Sequence, residues 1–306
     1  MDSIIYRNDK NFPVLLGEIN DPPKKLFIRA KNEEKMNTAL ASLSNPNIKI
    51  LCIVGARKYS SYGKEVTEKL IGSLSGYNIC IVSGLALGID SIAHRAALEN
   101  GLQTIAFPGS GLHPSILYPP SHKGLAEEIV EKGGLLFSEF EMMQEGAPWT
   151  FPSRNRLMAG ISHATLVIEA EKKSGTLITS KYATDYNRDV GAVPGPIFSS
   201  LSEGPHMLIR LGATPITCGD DLLEFLGYER KEGKSTLDFN DKTTNQKFLS
   251  LGEKERSILQ ILKRGSLNKD TLVREAGIEV QKINMLISFL EIEGYIKEED
   301  GVVKMK

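Results

Sequence analysis

A regular alternation of short apolar runs and longer amphipathic stretches, from residue 48 to about residue 227, is what most constrains the fold of this chain. The apolar runs are rich in β-branched residues, and the stretches between them have the spacing of amphipathic helices. This pattern is typical of a parallel sheet covered by helices on both faces, so the sequence predicts an α/β fold. The predicted strands are residues 49–54, 78–82, 103–107, 134–137, 164–168, 190–193 and 213–216, and the predicted helices are residues 62–74, 89–99, 121–131, 154–161, 176–186 and 205–211.

The segments on either side of this core, which spans residues 48–228, have a different composition. Residues 1–47 contain one predicted strand, Lys25–Arg29, and are too short for a domain of their own, so we expect them to pack on the edge of the core. Residues 229–250 are polar and poor in large apolar residues, which is the composition of a linker. Three helices followed by a hairpin are predicted for residues 251–306, an order that indicates the winged variant of the helix-turn-helix as a small C-terminal domain. These helices are residues 253–263, 269–276 and 280–293, and the hairpin turns about Asp300-Gly301.

The overall composition excludes several classes of partner and site. The length of 306 residues suggests about two domains. The formal net charge is −1, so a polyanion would have to be held by a local cluster of Lys and Arg. No signal-like N-terminus and no run of about 18 apolar residues occurs, so a cytoplasmic protein without membrane contact is expected. Cys52, Cys80 and Cys218 lie far apart, and this spacing favours neither a zinc site nor a disulfide framework.

Small, hydroxylated and basic residues follow several of the predicted strands. The carboxyl ends of parallel strands meet at one edge of a sheet, where ligands bind, so these residues are expected to converge. Small residues let a ligand approach the backbone, hydroxyl and N–H groups donate to phosphate oxygens, and an Arg guanidinium contacts phosphate through two parallel bonds. A single glycine after a strand is more often a simple turn, so the prediction of a phosphate-bearing ligand rests on the whole set. Its members are Gly55, Arg57, Ser83, Gly84, Ala86, Gly109, Ser110, Gly111, Ser174, Gly175 and Thr176.

Common catalytic and nucleotide-binding motifs match this sequence poorly. A dinucleotide site requires G-x-G-x-x-G after the first strand and an acidic residue after the second, but these strands are followed by GARKYSSYG and SG. The P-loop motif is also absent, so no nucleotide cofactor is expected. His94, Glu139 and Glu169 could supply an acid/base pair, yet no nucleophile elbow or metal-spaced cluster accompanies them. We therefore interpret His94 as a packing residue on a helix face and Asp90 as a helix N-cap or first-turn residue.

Aromatic and basic residues are combined in the stretch APWTFPSRNRLMAG, residues 147–160. Arg154, Asn155 and Arg156 stand at a predicted helix start, shortly after Trp149 and Phe151. This combination suits single-stranded nucleic acid, since bases stack on rings while cations follow the backbone. For each ring taken alone, a place in the core or in a dimer interface is an equal alternative.

Eight motifs follow one another between residues 50 and 226: IVGARKYSSYG, SGLALGIDSIAHRAAL, TIAFPGSGLHPSILYPPSH, LLFSEF, FPSRNRLMAGIS, LVIEAEKKSGTLITSKYA, VGAVPGPI and GPHMLIRLGA. In this order they resemble the DNA-processing protein A family, also called DprA or Smf. The resemblance implies an extended Rossmann-like core, with a doubly wound and mostly parallel sheet, and a C-terminal winged-helix domain of the kind that many members carry.

The resemblance also implies a function. Members of this family bind and protect incoming or exposed single-stranded DNA without catalysing a reaction on it. They form homodimers through the Rossmann-like domain and help to load the RecA recombinase in natural transformation and recombination. The family's binding motifs correspond to Arg57, the loop Ser83–Asp90, the segment Phe151–Arg156 and the turn Ser174–Thr176. Two departures are Ala56, where the family has serine, and residues 147–150, which lack a basic residue that relatives often carry.

The C-terminal domain has little charge preference for DNA. Residues 251–306 contain ten Lys or Arg and ten Asp or Glu, and the predicted recognition helix offers only Lys282 among several glutamates. A helix that reads a DNA groove normally presents basic or amide side chains. We therefore expect this domain to contact protein, or DNA only weakly.

A nucleotide-processing enzyme on a related core, such as a nucleoside monophosphate phosphoribohydrolase, is the alternative function. That class is recognised by the motif P-G-G-x-G-T-x-x-E. The comparable turn here is Lys173–Thr179, and Thr179 stands where the glutamate would be. The acid/base residue of that reaction is therefore missing.

Overall fold

The computed structural model describes residues 1–229, 253–262, 267–278, 280–292, 295–299 and 301–305. The chain divides into two compact units, Met1–Arg230 and Lys231–Lys306. The predicted linker, apart from Glu229, lies outside the described residues.

A nine-stranded sheet forms the centre of the first unit, with the order β1-β2-β6-β5-β4-β3-β7-β8-β9. All seven strands predicted for the core are present and run parallel to their neighbours, whereas β1 and β2 are antiparallel additions at one edge. The sheet is doubly wound: β4, β5 and β6 are added in turn on one side of β3, and β7, β8 and β9 are then added in turn on its other side. The strands are β1 (Asp2–Tyr6), β2 (Lys25–Arg29), β3 (Lys49–Val54), β4 (Ile79–Ser83), β5 (Gln103–Ala106), β6 (Leu135–Ser138), β7 (Ala164–Val167), β8 (Asp189–Ala192) and β9 (Thr214–Pro215).

Nine α-helices accompany these strands in the described part of the first unit, and six of them were predicted. Two begin at side-chain caps: Asn32 accepts from the Lys35 N–H at 2.8 Å, and Ser60 accepts from the Gly63 N–H at 3.1 Å. The helices are α1 (Val14–Gly17), α2 (Glu33–Leu43), α3 (Ser61–Ser73), α4 (Ile89–Glu99), α5 (Lys123–Glu131), α6 (Thr150–Ile161), α7 (Thr176–Asp185), α8 (Glu203–Arg210) and α9 (Gly219–Phe225).

Apolar side chains cover both faces of the sheet. Alternate residues of β3 point to opposite faces, so Ile50 and Cys52 pack in one core while Leu51 and Ile53 pack in the other. The first core includes residues of α1, α2 and α6, and the second includes residues of α3, α4 and α9. Residues 1–47 therefore supply two strands and two helices, and they contribute to a buried core as well as to the sheet edge.

The second unit contains the three predicted helices and the two predicted hairpin strands, and an additional short strand between the first two helices joins the sheet. Helices α10 (Glu253–Leu262), α11 (Lys269–Ala276) and α12 (Val280–Ile292) surround a core that includes Ile258 and Ile287. Strands β10 (Leu267–Asn268), β11 (Ile296–Glu299) and β12 (Val302–Met305) pair in the order β10-β12-β11. Asp300, predicted in the hairpin turn, lies outside the described residues, and Gly301 has a φ of 76°. Among the described helices of the whole chain, none is long and apolar enough to cross a membrane.

Candidate functional site

The sheet reverses its direction of progression between β3 and β7. In a doubly wound sheet, ligands bind outside the carboxyl ends of the strands at this point. A pocket of about 410 Å³ lies here and is lined by residues that follow β3 and by the first turns of α6 and α7. A smaller adjoining pocket shares Arg57, Ala86, Phe151 and Arg154 with it and extends towards Tyr118.

The structure brings together most of the fifteen predicted binding residues. Nine line the larger pocket: Gly55, Arg57, Ala86, Phe151, Arg154, Asn155, Ser174, Gly175 and Thr176. Gly84 and Gly109 line the adjoining pocket. Ser83, Ser110, Gly111 and Arg156 line neither of the two.

Arg57 presents an accessible cation at the mouth of both pockets. Its side chain is exposed, and among the described residues it forms no ion pair. The guanidinium carbon lies 5.3 Å from the centre of the Phe151 ring, within the range of a cation–π contact. The Phe151 ring in turn lies 5.5 Å from the ring of Tyr118, which is 43% exposed. The mouth thus combines a free guanidinium with two accessible aromatic rings.

Arg154 is buried, with 4% of its surface exposed. Its Nη1 donates to the carbonyl oxygens of Gly84 and Phe107, and its Nε donates to Asn155 Oδ1 at 3.1 Å. Burial lowers the pKa of Arg154 to about 10, although the nearby Asp90 carboxylate opposes this effect. Arg154 therefore ties the loops after β4 and β5 to α6, and its role in the pocket is to form the wall.

Asp90 lies in the first turn of α4, which was one of its two expected places, but it does not cap the helix, which corrects the other. The N-cap position is held by Gly88, whose φ is 85°, and no side chain caps this helix. Asp90 is the second residue of α4, and its Oδ2 accepts from the Gly84 N–H at 3.1 Å. Burial raises the pKa of Asp90, while Arg154 and the N–H groups of Ala86 and Gly84 act in the opposite direction. Asp90 and Arg154 are thus two buried side chains of opposite charge that line the pocket and interact electrostatically.

Gly84 and Gly88 are required by this arrangement. A Cβ on Gly84 would collide with the Arg154 guanidinium, and one on Gly88 would collide with the backbone of Ala56 and Arg57. Gly88 also has a positive φ, which glycine adopts at little cost.

Arg156 is also engaged within the protein. Its Nη2 forms an ion pair with Glu139, and its Nη1 donates to the Asp21 carbonyl oxygen at 2.8 Å. The Tyr186 hydroxyl donates to Asp21 Oδ1 at 2.6 Å. Burial raises the pKa of Glu139, and Arg156 acts against this effect. Arg156 thus anchors the N-terminal segment to α6 and α7 and leaves few donors for a ligand.

The predicted hydroxyl residues are hydrogen-bonded to the protein itself. Ser83 Oγ donates to the Ile53 carbonyl oxygen at 2.7 Å, and Ser110 Oγ donates to the Gly111 carbonyl oxygen at 3.0 Å. Thr176 Oγ1 donates to the Gly55 carbonyl oxygen at 3.1 Å. This last bond fixes the start of α7 against the end of β3, across the point where the sheet reverses.

The other acid/base candidates have structural roles. Glu169 accepts from the Ser60 N–H at 3.0 Å and from the Ser60 hydroxyl at 2.5 Å, so it fixes the start of α3. His94 is fully buried, as expected of a packing residue, with its Nδ1 2.8 Å from Thr104 Oγ1. Burial lowers the pKa of His94 to about 3. In the described part of the chain, no group of three or more His, Cys, Asp or Glu is placed to hold a metal ion.

Besides Asp90, four polar residues that line the pockets were outside the predicted binding set: Lys58, Tyr118, Glu171 and Thr179. Thr179 is three residues after Thr176 in α7, so helical spacing could have placed it on the same face. Its buried hydroxyl has no hydrogen-bond partner among the described residues. No local pattern marks Tyr118, because the loop that carries it reaches the pocket only through the tertiary fold.

The sequence matches the family model described as DNA recombination-mediator protein A over residues 3–227. It is 41% identical over 225 residues to protein Smf of Escherichia coli (strain K12), a match that covers 74% of this chain and 57% of that protein. The chain belongs to the DNA recombination-mediator protein A family. It is also 40% identical over 215 residues to DNA processing protein DprA of Streptococcus pneumoniae, covering 70% of this chain and 71% of that protein. The chain thus spans little more than half the length of the Escherichia coli member of the family.

Solved structures of two family members have a similar fold. The structure of DprA from Streptococcus pneumoniae is 39% identical, with a TM-score of 0.65 over 72% of this chain and 73% of that one. The structure of DNA processing protein A from Helicobacter pylori, which concerns its single-stranded DNA binding mode, is 28% identical. It has a TM-score of 0.63 over 75% of this chain and 98% of that one. Both similarities support an extended Rossmann-like sheet in this member of the family.

Proposed function

We propose that this chain binds single-stranded DNA at the carboxyl edge of the sheet and acts as a recombination mediator. The observation that carries the proposal is the exposed Arg57 guanidinium, stacked on Phe151 at the mouth of the pocket. A free cation beside accessible rings matches the two needs of a single strand, which are neutralised phosphates and stacked bases. The single-stranded DNA binding mode of the Helicobacter pylori protein adds support.

The proposal divides the predicted site residues into two groups. Arg57 and Phe151 contact the strand directly, together with Lys58 and Tyr118, and the small residues Gly55, Ala86, Gly109 and Gly175 let it approach the backbone. Double-stranded DNA is a poorer ligand, because its bases are stacked inside the double helix. The remaining predicted residues hold the loops of the site in place. The supporting residues are Ser83, Gly84, Asp90, Ser110, Gly111, Arg154, Asn155, Arg156, Ser174 and Thr176.

The proposal includes the finer expectations that the family suggests. The chain helps to load RecA, forms a homodimer through its first unit, and works in the cytoplasm, where recombination takes place. The second unit is a winged-helix domain that contacts protein, or DNA only weakly, and its three helices and hairpin support the winged-helix assignment. We also propose that the chain catalyses no reaction on DNA or nucleotides. Glu139 and Glu169 are engaged in structural bonds, and Thr179 occupies the place of the hydrolase glutamate.

Fluorescence anisotropy of labelled oligonucleotides tests the proposal. The full chain is expected to bind single strands more tightly than duplexes of the same sequence, and its affinity should fall steeply as salt increases. Arg57→Ala should weaken binding to all sequences alike and reduce the slope against salt by about one. Arg7→Ala removes an exposed arginine that follows the outermost strand β1, five positions from β3 in the strand order; it is the matched control and should bind as the wild type does.

Two results would contradict the proposal. Negligible affinity of the wild-type chain for single strands would refute the proposed function. Unchanged affinity in Arg57→Ala would refute the proposed location of the binding site. A separate assay incubates the protein with a nucleoside monophosphate and measures the free base by chromatography. Release of base would favour the phosphoribohydrolase alternative.

A further inference from the structure

Two highly exposed apolar side chains lie at the tip of the segment that follows β8. Ile197 is 78% exposed and Phe198 is 97% exposed. The Ser199 N–H donates to the Pro196 carbonyl oxygen at 3.0 Å, so both side chains stand on the central residues of a tight turn. Phe198 therefore offers both faces of its ring to solvent.

The turn is held firmly at its two ends. On one side, the Tyr62 hydroxyl donates to the Pro194 carbonyl oxygen at 2.5 Å, and His206 Nε2 lies 3.0 Å from the carbonyl oxygen of Gly195. On the other side, the Ala170 N–H donates to the Leu201 carbonyl oxygen at 2.8 Å. An anchored turn that displays an aromatic ring is a preorganised contact, because little conformational freedom is lost when something stacks on the ring.

This turn lies at the same edge of the sheet as the pocket. Strands β3, β7 and β8 are consecutive neighbours, and adjacent strands are about 4.8 Å apart, so the end of β8 lies about 10 Å from the end of β3. Leu201, which follows the turn, lines the larger pocket. The exposed side chains of Lys58, Lys172 and Lys173 follow β3 and β7, the strands between Arg57 and the turn. Glu171 also follows β7 and is exposed, so three lysines outnumber one exposed carboxylate among the residues that follow these two strands.

We propose that Phe198 stacks on a second base of the single strand held at the pocket, outside the pocket itself. The inference rests on the proposed function and extends it to a second stacking site. The ends of β3 and β8, the strands that precede the two sites, are about 10 Å apart, which corresponds to about three nucleotides at about 3.4 Å per stacked nucleotide. The lysines between the two sites neutralise the intervening phosphates, and an aromatic face accepts any base.

Oligonucleotide length separates this inference from the proposed function. Anisotropy is measured on the full chain with labelled thymidine oligonucleotides of about 2 nucleotides, too short to span the two sites, and about 12 nucleotides, within the site sizes of known single-strand binders. Phe198→Ala should weaken binding of the longer strand about 5- to 150-fold, the range that one base–aromatic stack provides. It should leave binding of the shorter strand, held at the pocket, unchanged. Tyr6→Ala, which removes a ring that is 54% exposed on the edge strand β1, is the matched control.

A direct readout accompanies the affinities. In Trp149→Phe/Phe198→Trp, the introduced indole is the only tryptophan, and its fluorescence should be quenched by the longer strand with affinity retained. Equal affinities of wild type and Phe198→Ala for the longer strand would overturn the inference. If the wild type still bound and Arg57→Ala did not, the proposed function would stand. A change of oligomeric state in Phe198→Ala, measured by sedimentation, would also overturn it, because the ring would then be a contact between two copies of the chain.

Discussion

The segment after β3 and the start of α6 both carry arginine beside the same pocket, but they use it differently. Arg57 follows a strand end and points its guanidinium outward, where it is stacked on Phe151 and forms no ion pair with any residue that the structure describes. Arg154 and Arg156 stand on a helix that packs against the sheet, and their donors are taken up by carbonyl and carboxylate oxygens. A guanidinium beside a pocket can bind a ligand only when its donors remain available. The comparison therefore separates the residue that contacts the strand from those that shape its site.

Removal of Arg154 should have the largest effect, and the effect should fall on stability. In Arg154→Met, the Asp90 carboxylate and the carbonyl oxygens of Gly84 and Phe107 lose their buried partner. We expect the free energy of unfolding to decrease by about 3–5 kcal/mol, as measured by urea denaturation. The double variant Asp90→Asn/Arg154→Met should recover part of this loss, because no unpaired charge is left. If Arg154→Met kept the stability of the wild type and lost only its affinity for DNA, Arg154 would instead contact the strand directly.

The sequence predicted the fold better than the roles of individual side chains. The core strands could be predicted because each is a compact apolar run, and a parallel topology then brings their carboxyl ends together. Strand β1 was missed, because its pairing with Lys25–Arg29 depends on the fold of the intervening loop. The direction of a side chain is likewise set by packing. The motif FPSRNR could not show that the Arg154 guanidinium donates to the Gly84 carbonyl oxygen in the loop after β4. Nor could the sequence show that the Asp90 carboxylate accepts from the Gly84 N–H instead of from an N–H of its own helix.

Arg156→Gln should have a smaller effect that depends on pH. Without the guanidinium, nothing offsets the burial that raises the pKa of Glu139, so this pKa should rise further. The native state then holds a proton that the unfolded chain releases near pH 4.3, and stability falls as the pH rises above that value. We expect a loss of about 2 kcal/mol at neutral pH that diminishes as the pH is lowered towards 4.3, measured by urea denaturation across this range. Glu139→Gln/Arg156→Gln should lose the added pH dependence, and a profile of Arg156→Gln parallel to that of the wild type would refute this assignment.

Arg57→Lys tests whether the free arginine acts through its shape or only through its charge. Lysine keeps the positive charge but lacks the planar fork that binds phosphate through two bonds and stacks on a ring. Affinity for single strands should decrease about tenfold with unchanged thermal stability, measured by anisotropy and by thermal denaturation. Arg7→Lys is the control for the same exchange at a distant exposed site. Wild-type affinity in Arg57→Lys would mean that charge alone explains the contribution of Arg57.

The smallest expected effect concerns the ring beneath Arg57. A Cβ on Gly109 would collide with Cδ1 and Cε1 of Phe151, whose side chain is partly exposed and is therefore able to move. Gly109→Ala should displace the ring from the Arg57 guanidinium and remove a cation–π contact worth about 0.5–1 kcal/mol at an exposed site. Affinity for single strands should fall about two- to fivefold, without loss of stability beyond that small term. The matched control is Gly124→Ala on α5, where a Cβ has open space around it. Gly109→Ala could bind as tightly as the wild type while Arg57→Ala did not. Arg57 would then act without support from Phe151, and the ring would contribute to binding only by stacking on bases.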